Sequence, residues 1–409
     1  MAGHSRRHYR LRWDAGPVVV IDLYRVGNTY MLRYEPPLRQ TLRRAVIELP
    51  FTPDDFDESV RKLRKLVGSV GFNPGRGAMT VGRTPEVLTK LAYEGELLLD
   101  LVLSDVVGTD LAGDSLFVEI DTDEVLLPVP WELMCSREGF ICLRHAMGRY
   151  VNLRVQSDRT RTPDLQGDMK VLILCVPQPQ PSVGDYERLR EAESEYETLT
   201  TLLLDRGVDC VPLRADEATK ENVIRVLRGN QPFTIIHFTG HGHIDVEDPR
   251  RSGLVLFNGI LTTGVISQFV RHSPVLAFIN GCETARTQEG PVSKEPDQPK
   301  ELPLSHLTRV FGIARPFLDQ GSYVLGTRWR VGDSSAARFA RSFYEALLDG
   351  DAIGKAIMKG RNTIYAPESS DLSWASYVFY GDPRLVFQLS KTLDATESNL
   401  RVFKRRETD

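Results

Sequence analysis

The sequence predicts an α/β protein whose mostly parallel sheet is covered by helices on both faces. Two patterns lead there. From Met169 onward, short apolar runs alternate with stretches whose apolar residues recur every three or four positions. Runs as uniformly apolar as Met169–Val176 (MKVLILCV) suit strands buried on both sides. A third, local observation concerns Ile235–Gly242 (IIHFTGHG) and Val275–Cys282 (VLAFINGC), which end in Gly-His-Gly and Gly-Cys turns.

Before Met169 the elements are mixed. Val18–Tyr24 and Thr29–Tyr34 read as a hairpin turning at Gly27-Asn28. Asp54–Val67 reads as a helix with Phe56, Val60, Leu63 and Val67 on one side, and glycine-rich Asn73–Arg83 as a loop. Glu86–Leu103 is expected to be a helix and Ser115–Ile120 a strand. Leu126–Met134 (LLPVPWELM) reads as a turn leading into a short helix that buries Trp131, and Gly139–Arg154 as a strand pair. The polar segment Pro163–Asp168 marks a boundary, dividing a non-catalytic α/β half (1–162) from a second half (163–390) and a carboxyl-terminal tail (391–409).

In the second half Met169–Val176 opens the sheet. A long helix follows Val183-Gly184, with Leu189, Ala192, Tyr196, Leu199 and Leu203 in register and Gly207 at its end. Asp209–Leu213 is the next strand, and Thr219 can cap the helix Thr219–Leu227. Thr234–Phe238 and Val275–Ile279 are the third and fourth strands, separated by the hairpin Leu254–Phe257/Gly259–Leu261 and the helix Thr263–Val270. Ser322–Gly326 and the helix Ser334–Leu348 complete the alternation. Between them, 286–303 (RTQEGPVSKEPDQPKELP) lacks apolar periodicity and reads as a solvated, mobile loop.

Composition narrows the class. The 409 residues are 41% hydrophobic and 26% charged, ordinary for a globular protein. A net charge of −4 favours no nucleic-acid partner, and no apolar run reaches membrane-spanning length. The basic amino terminus lacks an apolar stretch behind it, so a cytoplasmic location is expected. Cys135, Cys142, Cys175 and Cys210 sit among apolar neighbours and read as reduced core residues.

Chemistry points to the two strand ends. If those strands are parallel neighbours, their carboxyl ends lie about 5 Å apart, bringing His241 and Cys282 to the crevice where open α/β sheets bind ligands. A thiol beside an imidazole can act as nucleophile and base. The amides of Gly242 and Cys282, at the strand ends, would supply an oxyanion hole. His237 is read as pointing the other way, into the core, and His243 as orienting its loop or facing water. A metal site of His241, His243 and Cys282 lacks a fourth ligand, so no metal or other cofactor is expected. Nucleotide binding fails for want of a glycine-rich phosphate loop after Met169–Val176, where the chain runs PQPQPSVGD.

The sequence resembles the CHAT family of caspase-like cysteine peptidases. The resemblance rests on PWELM (Pro130–Met134), HFTGHG (His237–Gly242), FINGCETA (Phe278–Ala285), Gly326–Gly350 (GTRWRVGDSSAARFARSFYEALLDG) and WASYVFYGDP (Trp374–Pro383), in the family's order. It implies a caspase-like three-layer sandwich with His241 and Cys282 as the dyad, and a pocket lined by the segment Gly326–Asp333. It also implies an endopeptidase that cuts specific proteins, latent until an upstream activator protein or protease acts, in a bacterial defence or cell-death pathway. The alternative is a binding scaffold that lost catalysis. The tetratricopeptide repeats often joined to such peptidases are missing. Arg286, Lys294 and Lys300 are candidate processing points in an activation loop. Metacaspase-like relatives that cut after Arg or Lys carry Asp two residues before the nucleophile; here that position is Asn280. Pocket candidates are therefore Asn280, Arg328, Trp329, Asp333 and Asp185, with a tilt toward Arg or Lys before the cut.

Overall fold

A computed structural model describes residues 7–26, 29–35, 45–48, 53–69, 72–73, 78–79, 84–102, 117–122, 129–151, 166–229, 232–245, 248–270, 272–283, 313–329, 331–366 and 371–391. The segment 286–303, with Arg286, Lys294 and Lys300, lies outside the described residues, as do the 162/163 boundary and the tail beyond Lys391.

The longer elements of the first half are β1 (Arg7–Trp13), β2 (Val18–Val26), β3 (Thr29–Glu35), β4 (Ala45–Glu48), α1 (Pro53–Ser69), α2 (Thr84–Val102), β5 (Phe117–Thr122) and β6 (Ala146–Val151). The second half contributes β7 (Gln166–Asp168), β8 (Lys170–Cys175), α3 (Ala192–Asp205), β9 (Asp209–Arg214), α4 (Lys220–Leu227) and β10 (Ile235–His243). It continues through β11 (Gly253–Leu256), β12 (Gly259–Thr262), α5 (Thr263–Phe269), β13 (Leu276–Glu283) and β14 (Tyr323–Thr327). Then follow α6 (Asp333–Leu348), α7 (Ile353–Ile364), β15 (Tyr377–Tyr380) and β16 (Leu385–Lys391).

One sheet spans both halves, in the order β9-β8-β10-β13-β14-β15-β6-β5-β2-β3-β4, with the β11–β12 hairpin on β10. Strands β9, β8, β10, β13 and β14 are parallel, β15 runs antiparallel to β14, and β15, β6, β5 and β2 are again parallel. The seam strand β15 thus comes from the far carboxyl end. A second small sheet, β7-β1-β16, ties the first described strand to the last.

The period of two sorts the apolar runs into layers. Val171 and Ile173 face one core with Leu199, Leu203, Phe339 and Phe343 of α3 and α6. Leu172 and Leu174 face the other, with Val223 and Leu227 of α4 and Ile266 of α5. This is the expected α/β class, a mostly parallel sheet between helices. Thr219 caps α4 by accepting from Asn222 N at 3.2 Å, and Gly207 closes α3 with φ of 69°. Among the described residues no helix is long and apolar enough to cross a membrane.

Three expectations need correction. The Gly139–Arg154 pair is a two-residue strand, a helical turn (Ile141–Arg144) and β6, because Ile141 and Cys142 are buried by coiling rather than by alternation. Helix α3 starts at Ala192 rather than near Leu189, so 177–191 is irregular chain. Strands β10 and β13 do not turn at their glycines but run on to His243 and Glu283.

Candidate active site

Beta strands 10 and 13 pair residue for residue from Ile235↔Leu276 to Gly242↔Glu283, and His241 takes the register position directly opposite Cys282. Adjacent strands lie about 4.8 Å apart, which brings the two backbones within side-chain reach. The irregular chain ahead of α3 closes over this end. Tyr186 packs its ring 5.2 Å from that of His241, and the Glu187 carbonyl accepts from His241 Nε2 at 2.7 Å. A carbonyl only accepts, so Nε2 carries the hydrogen, and in its neutral form the ring has its lone pair on Nδ1. His241 is buried, and the chain segment that orients it is held by Leu189 N–H on the Pro177 carbonyl at 2.9 Å. His243 lies half-buried with Nδ1 3.4 Å from the Tyr186 hydroxyl.

Beneath this pair lies a polar network that periodicity does not announce. His237 shares the strand face of His241, since four residues is an even step, contrary to the expectation that it points the other way. It is a core histidine nonetheless: Nε2 sits 2.9 Å from Glu195 Oε1 and Nδ1 3.3 Å from the Tyr344 hydroxyl. Glu195 of α3 also accepts from Asn280 Nδ2 at 2.7 Å and from the Thr239 hydroxyl at 3.2 Å. Tyr377 of β15 donates to Asn280 Oδ1 at 3.0 Å.

The pocket candidates separate accordingly. Asn280 is 4% exposed and its amide is taken up by Glu195 and Tyr377, so it belongs to the network and not to a pocket wall. Arg328 is buried as well: 2% exposed, its Nη1 donates to the Val129 carbonyl at 2.5 Å and lies 3.8 Å from Glu132 Oε2. Trp329 is half-buried, its indole N–H donating to the Leu372 carbonyl at 3.2 Å. Asp333 accepts from Glu191 N–H at 2.7 Å; burial pushes its carboxyl up, partly offset by that bond. Asp185 is exposed. The amides of Gly242 and Cys282 sit one residue inside paired strands, not at their ends, because the ladder continues to Glu283.

Three positions that hold this arrangement together escaped the sequence reading. Glu187 acts through its backbone, which leaves no side-chain signal. Glu195 had one: it stands between Ala192 and Leu199 on the buried face of α3, where a carboxylate needs partners. Glu132 of PWELM is 1% exposed and gathers Arg149 and Arg328 closely, with Arg361 Nη2 at 4.0 Å.

A family model, the CHAT domain, matches residues 88–382. No curated protein sequence matches the chain. Among solved structures the chain is similar to the Arg-specific cysteine proteinase gingipain R at 12% identity and a TM-score of 0.46, covering 82% of this chain and 76% of that one. A complex of the Porphyromonas gingivalis RgpB pro- and mature domains matches at 12% identity and 0.43, covering 82% and 78%. The Saccharomyces cerevisiae separase–securin complex matches at 12% identity and 0.46, covering 89% of this chain and only 30% of that one.

Proposed function

The chain belongs to the CHAT domain family, a family of caspase-like cysteine peptidases, and on that premise we propose that it is a cysteine endopeptidase with His241 and Cys282 as its dyad. The observation that carries the proposal is the register of β10 and β13, which sets His241 opposite Cys282. The tautomer imposed by the Glu187 carbonyl supports it, since Nδ1 is then the basic nitrogen. In this reading Nδ1 takes the thiol proton and the thiolate sulfur attacks the scissile carbonyl carbon. As the tetrahedral intermediate collapses, the imidazolium returns that proton to the leaving amine. Water, deprotonated by the same ring, then hydrolyses the thioester and frees the thiol. The oxyanion donors are assigned to the Gly242 and Cys282 amides, which requires the last ladder rungs to open when substrate binds.

Of the pocket candidates, Trp329, Asp333 and Asp185 keep exposed surface and are proposed to line it, the two carboxylates favouring Arg or Lys before the cut. Latency, with release by cleavage at Arg286, Lys294 or Lys300 after an upstream activator acts, and a place in bacterial defence, belong to the same proposal. So does a cytoplasmic location. A peptide-library cleavage profile tests the core of it. Cys282→Ala should lower cleavage by roughly 10³-fold or more. Cleavage that survives the substitution would remove the dyad, and a biological effect that survives without cleavage would favour the scaffold alternative.

A further inference from the structure

We propose that Thr327 is a positioning residue for the nucleophile, its buried hydroxyl holding the Gly281–Cys282 peptide in place. The inference rests on the dyad reading and deepens it. Backbone pairing between β13 and β14 runs from Leu276↔Tyr323 to Ile279↔Gly326 and stops there. On its other edge β14 pairs with β15 from Val324↔Tyr380 to Thr327↔Tyr377, and that ladder runs on past the rung, Arg328 N–H donating to the Ser376 carbonyl at 2.8 Å. The Gly281 carbonyl is met instead by a side chain: Thr327 Oγ1 donates to it at 2.6 Å. A hydroxyl thus replaces the missing rung on the residue immediately before Cys282.

Three features make this contact a device for orientation. The peptide unit is planar, so holding the Gly281 oxygen fixes the plane that contains the Cys282 nitrogen. Thr327 is 3% exposed, and its branched Cβ limits its rotamers. Its neighbour Arg328 is itself anchored to the Val129 carbonyl and Glu132 in the first half of the chain. The nucleophile's peptide is thereby braced against the half that carries no candidate dyad residue.

The test uses the full chain and iodoacetamide, reading alkylation of Cys282 alone by peptide mapping at neutral pH. Thr327→Val keeps the shape and removes the hydroxyl; it should slow Cys282 alkylation about 10-fold, less than the roughly 100-fold that a full 1 Å misplacement can cost. Thr327→Ser keeps the hydroxyl and should stay near the wild-type rate. His241→Ala sets the rate of an unassisted thiol. A Val variant as fast as wild type, beside a slow His241→Ala, would overturn the inference and leave the dyad standing; so would a Ser variant as slow as Val. Equal rates in all four proteins would overturn the dyad reading and this inference together. If the Val protein shows no cooperative thermal unfolding, Thr327→Ala is read by the same criteria.

Discussion

Glu132 and Glu195 are almost equally inaccessible, at 1% and 2% exposure, and each collects polar groups from several segments. Their partners differ in kind. Around Glu132 stand the guanidiniums of Arg149, Arg328 and Arg361, drawn from both halves, with the carbonyls of Val129, Cys142 and Tyr377 taking further N–H groups. Around Glu195 stand neutral donors, Asn280 and Thr239, and the ring of His237. A buried carboxylate facing several cations acts as a clamp, because removing it leaves charges that the interior cannot solvate. A buried carboxylate facing hydrogen-bond donors acts as a template, because its cost is the satisfaction of a few directed bonds. The clamp therefore joins the halves across β15, and the template sets the floor two residues before Cys282.

The largest effect expected from this contrast is on stability. Glu132→Ala should cost about 3–5 kcal/mol, enough to leave much of the chain unfolded; urea unfolding checks it, and a cost below about 1 kcal/mol would mean that the clamp bears little. Glu195→Gln comes next. It keeps the shape but cannot accept from His237, Asn280 and Thr239 together, and should cost about 1–3 kcal/mol. Its kcat should fall by more than its stability loss explains, read as peptide cleavage per folded molecule. If Glu195→Gln instead unfolded the protein as readily as Glu132→Ala while leaving kcat intact, the distinction between clamp and template would collapse.

A surface tie gives the smallest expected effect. Asp14 accepts from Lys355 of α7 at 2.8 Å. Burial pushes its carboxyl up, but Lys355 and the Gly16 N–H outweigh that and hold it below the usual range. A depressed folded pKa means the contribution is present above the ordinary carboxylate value of about 4 and is lost as pH falls through the lower folded value. Both side chains are about a third exposed, so Asp14→Asn should cost no more than about 1 kcal/mol, and less in high salt. Equal destabilisation at pH 7 and below pH 3 would show that the charge contributes nothing.

Much of the sheet was legible because its strands are buried on both faces and read as unbroken apolar runs. Lys170–Cys175 and Tyr323–Thr327 fall where those runs are. Strand ends were less so: His241, Gly242, Gly281 and Cys282 look like turn residues, yet the neighbouring strand keeps them extended. Seam strand β15 is short, and no local property of YVFY says that it will lie between β14 and β6, which come from different halves of the chain. The burial of two pocket candidates was hidden for a related reason. Asn280 and Arg328 are polar and near the right phrases, and polarity by itself does not distinguish a wall from a buried network.

The amino-acid sequence by itself determined the layers and the two residues that could do chemistry, since apolar periodicity and residue type are local properties. Tertiary structure decided everything that depends on a partner from elsewhere in the chain. It set the rung that puts His241 opposite Cys282, the Glu187 carbonyl that selects a tautomer and the hydroxyl that stands in for a backbone bond at Gly281. Such bonds form only once distant segments are packed, because a buried polar group takes whichever partner the fold leaves within reach.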